Sequence, residues 1–258
     1  MKEDFQKINA QIIIMMKAGR KKILAKQANP NVATKSSRLD LVTDIDRMIE
    51  KFYENEIHRH FPAAKILGEE GLRQEGMLEY SGLFFVIDPI DGTMNFVKQK
   101  EHYASMVAVY AGGQPALAYI YDIVNDKLLS GGPALGGVFC NGEKITAPAD
   151  LPLSEGLFGG SWPMVINNYH GVQAAIKQSS GLRIYGSAGI EYLHVILGQC
   201  VCYLSHLRPW DFLPGKILAE SLGLSVVNID GSEVNVLSSN DVLVAPKRVC
   251  EEVLQLLS

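Results

Sequence analysis

Leu83-Phe84-Phe85-Val86-Ile87-Asp88-Pro89-Ile90-Asp91-Gly92-Thr93 sets five apolar residues directly against a pair of aspartates. The apolar run reads as a strand, and the residues after it as a loop at the strand's end. Pro89 restrains the backbone so that Asp88 and Asp91 can converge, and Gly92 allows a tight turn. If residues 93–97 open a helical turn, the amides of Gly92 and Thr93 point at an incoming phosphate. Taken alone, Asp-Pro-x-Asp-Gly is an ordinary surface turn. Two features shift that reading: the apolar strand in front of the loop, and Gly68-Glu69-Glu70, whose Glu69 lies 19 positions before Asp88. Asp211, after Trp210, adds a third acidic group at an element boundary. Carboxylates gathered together repel unless a cation compensates them, and an all-oxygen donor set suits Mg²⁺ better than Zn²⁺ or copper.

Around this segment, short β-rich runs at 83–87, 105–110, 116–121, 127–129 and 137–140 predict an antiparallel sheet, with Asn141-Gly142 as a hairpin turn. Helical spacing covers 5–26 and 44–60, the second ended by Pro62. Beyond 148–152, helical patterns at 165–178, 188–197, 212–221 and 247–257 alternate with short strands. The expected organisation is an N-terminal α+β half over 1–152 and a C-terminal α/β half over 153–258, packed as one unit with a boundary near Asp150.

The 258 residues are 47% hydrophobic, enough for a sizeable core. A net charge of -4 gives no chain-wide attraction to nucleic acid or anionic lipid, so an anionic ligand must be held locally. Ile12-Ile13-Ile14-Met15-Met16 is too short to span a bilayer, and no secretory leader pattern is present, so a cytoplasmic protein is expected. Cys140, Cys200, Cys202 and Cys250 lack metal or disulfide spacing and read as buried thiols; on a strand, Cys200 and Cys202 would share one face.

Asp40-Leu41-Val42-Thr43-x-x-Asp46, Gly68-Glu69-Glu70, Asp88-Pro89-Ile90-Asp91-Gly92-Thr93-x-Asn95-Phe96 and Trp210-Asp211 together resemble the inositol monophosphatase family of lithium-sensitive phosphatases. Gly136-Gly137-Val138-Phe139-Cys140-Asn141-Gly142 and Gly186-Ser187-Ala188 extend the resemblance. It implies a layered α-β-α-β-α sugar-phosphatase fold, a homodimer, and two or three Mg²⁺ per site. It implies that Glu69, Asp88 and the Ile90 carbonyl hold one ion, and that Asp88, Asp91 and Asp211 hold a second. Water activated at the metal then attacks phosphorus directly, Thr93 (oriented by Asp46) and Glu69 positioning and deprotonating it. Asp91, Gly92, Thr93, Ser187, Ala188, Arg208 and Asp211 are the expected phosphate or substrate contacts. On their own, Asp46 reads as a solvated helix charge beside Asp44 and Glu50, Thr93 as a helix cap and Trp210 as a packing residue.

Departures from the family concern the substrate. Inositol-selective members resembling this chain carry a glutamate seven residues before the aspartate matching Asp211, where this sequence has Leu204. Arg208, and less directly Arg183, place fixed positive charge near the site, which points to a substrate with an additional anionic group. Leu213-Pro214 replaces a small pair and puts a proline in the first turn of the helix. Lys35 resembles a family lysine near the metal site but reads more simply as solvated, and His58, His60 and His170 read as surface histidines. The expected activity is hydrolysis of a small phosphorylated polyol, sugar or nucleotide. Fructose-1,6-bisphosphatase and NADP(H) phosphatase are alternatives within the family. A factor binding the transcription machinery is an alternative of another class, which no basic or repetitive segment supports.

Overall fold

A computed structural model describes residues 4–28, 30–34, 41–71, 79 and 81–257. Lys35 and Asp40 lie outside the described residues. Helix α1 (Phe5–Lys26) is followed by the short pair β1 (Val32–Thr34) and β2 (Leu41–Thr43), then α2 (Asp44–His60) and β3 (Lys65–Gly68). Next come β4 (Leu83–Asp91), α3 (Thr93–Lys98), β5 (Ala104–Ala111), β6 (Gln114–Asp122), β7 (Lys127–Gly132), β8 (Gly137–Cys140) and β9 (Glu143–Ile145). The chain continues as β10 (Leu157–Gly160), α4 (Trp162–Ile166), α5 (Val172–Gln178), β11 (Gly181–Arg183) and α6 (Ala188–Ile196). It ends with β12 (Cys202–Leu207), α7 (Pro209–Ser221), β13 (Ser225–Asn228), β14 (Asn240–Ala245) and α8 (Lys247–Leu256).

A seven-stranded sheet runs β3 to β9 in sequence order, and a five-stranded sheet has the order β11-β10-β12-β14-β13. Along β4, Phe85 and Ile87 pack with α1 and α2, whereas Phe84 and Val86 pack with residues of α6 and α7. This period of two explains why the strand reads as a continuous apolar run: both of its faces are covered. In the second sheet, Val242 and Val244 face α6 and α7, and Leu243 and Ala245 face the layer of α5 and α8. The result is five layers, α-β-α-β-α, with α6 and α7 between the sheets. Among the described residues no helix is long and apolar enough to cross a membrane.

Five local expectations are corrected. β3 pairs parallel with β4, so the first sheet is mixed, and β4 continues to Asp91 through a register shift between Asp88 and Asp91. Pro89 sits in that irregularity, where a missing N–H breaks no ladder bond. The helix predicted over 165–178 is interrupted because Asn168, His170 and Gly171 adopt left-handed backbone angles, which Asn and Gly tolerate. Cys200 precedes β12 and packs in the middle layer, whereas Cys202 packs in the outer one. Helix α7 starts at Pro209, so Pro214 is inside it and removes the N–H that would reach the Trp210 carbonyl.

Gly215 of α7 lies against the ring of the fully buried Tyr192 of α6; a Cβ there would stand 2.3 Å from the ring. Alanine in a helix interior ordinarily gains about 1 kcal/mol over glycine, but overpacking costs about 1–3 kcal/mol. Gly215→Ala is expected to lower stability by about 1–2 kcal/mol in urea unfolding; a stabilised variant would show that α6 and α7 can part.

Candidate active site

The parallel register Gly68↔Ile87 brings Glu69, just past β3, alongside Asp88 on β4. From the other half of the chain, the first turn of α7 contributes Asp211. Asp88, Asp91 and Asp211 each present a carboxylate oxygen within 4.8 Å of the other two. This compact group does not include Glu69, which adjoins it and acts through its charge.

Asp88 is 1% exposed and its Oδ1 is buried without a hydrogen-bond partner. Burial first, then the negative charges of Glu69, Asp91, Asp211 and Asp46, push its carboxyl far above the ordinary range. Burial and the charges of Glu69 and Asp91 do the same to Asp211, although its Oδ2 accepts the Arg208 N–H at 2.8 Å. Such a set, with an orphaned oxygen at its centre, fits a hard divalent cation with oxygen ligands.

Asp91 also joins the two halves of the molecule. Its Oδ2 accepts the Ser187 hydroxyl at 2.5 Å and the Gly189 N–H at 2.6 Å, and its Oδ1 accepts the Ala188 N–H at 3.1 Å. These are the orphan donors at the start of α6, and the helix dipole favours a carboxylate there. Burial nevertheless outweighs those bonds and raises its carboxyl to about 6. Ser187 and Ala188, expected as substrate contacts, thus have their donors turned onto Asp91. Gly189 is needed because a Cβ would stand 2.8 Å from that of Ala104 on β5.

Asp46 sits at the third position of α2 and forms a capping box with Thr43, accepting the Thr43 N–H at 2.7 Å and the Thr43 hydroxyl on Oδ2. Its Oδ1 accepts the Thr93 hydroxyl at 3.1 Å, which also approaches the Ile90 carbonyl at 3.1 Å. Asp46 is 1% exposed, and burial raises its carboxyl. The solvated-charge reading of Asp46 therefore fails. Gly92, at φ +89°, precedes α3 and turns the chain there.

Arg208 is exposed, lies 5.8 Å from the centre of the Trp210 ring and makes no ion pair among the described residues. Arg183 is an exposed residue of β11 whose Nη1 donates to the Leu182 carbonyl. Leu204 is buried in the outer core beside Phe158 and Met164. Sequence reasoning missed two supports. Glu50 accepts the Glu70 N–H at 2.8 Å, tying the Glu69 loop to α2. Asn95 donates to the carbonyls of His102, at 2.8 Å, and Tyr185, at 2.6 Å, tying α3 to the approach to α6. Asn95 belongs to the quoted motif, but its partner 90 residues on leaves no local signal.

Each raised carboxyl binds its proton more tightly in the folded chain than in the unfolded one. Its stabilising contribution is complete below the ordinary value of 3.8 and is lost as pH rises through the folded value, about 6 for Asp91. Stability measured in EDTA is therefore expected to lose this contribution across that interval, and Mg²⁺ to stabilise more at about pH 7.5 than at about pH 5. Asp88→Asn is expected to raise metal-free stability near neutral pH by about 1 kcal/mol and to abolish most of the Mg²⁺ effect, both read by thermal unfolding. An unchanged Mg²⁺ effect would dissociate the cluster from the metal.

The inositol monophosphatase family model matches residues 1–258. An inositol-1-monophosphatase of Bacillus subtilis (strain 168) is 33% identical over 217 residues, covering 82% of this chain and 81% of the relative. A staphylococcal IMPase-I complexed with products superposes with a TM-score of 0.90 at 28% identity, covering 98% of this chain and 96% of that one. An IMPase/NADP phosphatase complexed with Mg²⁺ and phosphate superposes with a TM-score of 0.88 at 28% identity, with 98% and 96% covered. With the five-layer fold and the acidic centre between its halves, these matches make the chain a member of the inositol monophosphatase family, and hence a phosphoric monoester hydrolase.

Proposed function

We propose that the chain hydrolyses a small phosphorylated polyol, sugar or nucleotide at the acidic centre, with Glu69, Asp88, Asp91, Asp211 and the Ile90 carbonyl holding two or three Mg²⁺. The observation that carries the reading is the buried, unpartnered Asp88 Oδ1 between two further carboxyls of raised proton affinity. Bound Mg²⁺ supplies acidification of water and neutralisation of phosphate charge. Thr93 commits its proton to Asp46 or to the Ile90 carbonyl, so its hydroxyl oxygen is left to accept a hydrogen bond from the attacking water. Glu69 takes the proton that water gives up. Ser187, Ala188 and Gly189 hold the Asp91 carboxylate in place from α6. The amides of Gly92 and Thr93 face the phosphate in this reading, and Arg208 offers a charge to a second anionic group. Family membership supports a cytoplasmic homodimer as part of the same proposal.

Phosphate release from a panel of inositol monophosphate, fructose bisphosphate and NADP is expected with Mg²⁺ and absent with EDTA. Thr93→Ala is expected to lower kcat by about 100-fold or more, the scale of losing the positioning of the attacking water, with little change in thermal stability. Retention of kcat would remove Thr93 from the reaction. Arg208→Ala is expected to lower kcat/KM about tenfold more for NADP than for inositol monophosphate, the scale of one charge-assisted hydrogen bond. Equal losses would remove it from specificity.

A further inference from the structure

A cavity of about 400 Å³ opens between α1 and the first sheet, lined in part by Ile13, Lys17, Arg20, Lys21, Leu128 and Ser130. Small-molecule sites span about 300–1,000 Å³. None of the lining residues belongs to the acidic centre. Leu128 and Ser130 lie on β7, three strands from β4 in the order of the sheet, which at about 4.8 Å per strand places them about 14 Å away from it.

The chain as a whole carries a net charge of -4, yet this cavity gathers three cations against one carboxylate, Asp126. Asp126 is already engaged. Its Oδ1 accepts the Tyr121 hydroxyl, and its Oδ2 lies 3.5 Å from Arg20 Nη1. Arg20 is fixed a second time, its Nε donating to the Ile123 carbonyl at 2.7 Å. Lys17 and Lys21, one helical turn apart, are exposed and make no ion pair or hydrogen bond among the described residues. Two positive charges are therefore left unbalanced at the cavity. Lys22 of the same helix has another use, lying 4.9 Å from the centre of the Phe52 ring.

A run of lysines on a helix is ordinarily a solvated face, and the sheet side of the cavity is what sets this one apart. Ser130 is 5% exposed, borders the cavity and makes no side-chain hydrogen bond among the described residues. A buried hydroxyl without a partner is costly, and an acceptor in the cavity would satisfy it. Ile13 and Leu128 add apolar surface beside these donors, which suits a ligand with a small organic body as well as a charge.

We propose that this cavity binds the dianionic phosphoryl group of a small phosphate monoester, apart from the acidic centre. Lys17, Arg20 and Lys21 supply the charge, and Ser130 Oγ supplies a donor. A phosphoryl group carries about −1.5 to −2 charges at pH 7, which matches the two left unbalanced. Free inorganic phosphate shares this chemistry. The site is independent of the phosphatase reading, so failure of either leaves the other standing. Its test is calorimetric titration of the full chain carrying Asp88→Asn, without Mg²⁺, so that the acidic centre repels anions. The probes are inorganic phosphate and propylphosphonate, whose P–C bond is not hydrolysed. Both are expected to bind one equivalent, and Lys17→Gln with Lys21→Gln to weaken that binding about tenfold or more, the scale of one lost charge-assisted hydrogen bond. Ser130→Ala is expected to weaken it about threefold, the scale of one neutral hydrogen bond. Both lysines are exposed, so their replacement leaves the core intact. Absence of binding, or binding unaffected by the lysine changes, overturns the site. Propylphosphonate bound as well as phosphate supports the monoester, and phosphate bound alone overturns the monoester in favour of the free ion.

Discussion

Three carboxylates, Asp88, Asp91 and Asp211, stand close enough to share one cation, and the first two are buried from the solvent that would otherwise screen them. Like charges at this separation, largely out of water, raise one another's proton affinity and oppose the compact state unless a cation or protons neutralise them. A core designed for stability alone would not contain them. The surrounding architecture works to hold them in place. Parallel pairing of β3 with β4 presents Glu69 beside Asp88, and the irregularity at Pro89 separates Asp88 from Asp91. The capping box of α2 fixes Asp46 against Thr93.

Asp91 carries a second burden, since it caps α6 as well as belonging to the cluster. The three donors it accepts all come from residues 187–189, so a carboxylate of the acidic cluster also locks the middle helical layer against the first sheet. This coupling accounts for the small residues at the start of α6. Gly189 passes within contact distance of β5, and any side chain there would lift the helix from Asp91. The acidic cluster and the docking of α6 on the first sheet thus share one carboxylate.

Much of this was legible in the sequence where the signal was local. The apolar run before Asp88 announced a strand, and the helical spacing of 5–26 and 44–60 matched α1 and α2 residue for residue. The resemblance of the acidic motifs announced the five layers. The parallel pairing of β3 was not legible, because pairing direction depends on the path of the connection and not on the strand's own residues. The break in 165–178 was hidden because Asn167-Asn168 and Gly171 lie within an otherwise apolar helical pattern, and left-handed angles are chosen by the tertiary setting. His170 read as a surface histidine because its partner, Asp241, is 71 positions away. Glu50 read as a solvated charge although its carboxylate is buried and holds the Glu70 amide.

The acidic cluster and the exposed segment after β10 sit in different packing environments. Asp88, Asp91 and Asp211 sit at ends of a strand and a helix, where packed elements fix the positions of side chains closely. Substrate discrimination needs surface that can vary without disturbing that packing. The segment after β10, with its short α4, left-handed turn at 168–171 and exposed Trp162, Ile166 and Tyr169, can vary without disturbing that packing. β12 links the two: Leu204 faces the outer core, His206 lines a cavity with Tyr169, and the strand delivers Arg208 and Asp211 to the acidic centre. A change at His206 on the outward side of β12 therefore leaves the inward side, packed on α6 and α7, undisturbed.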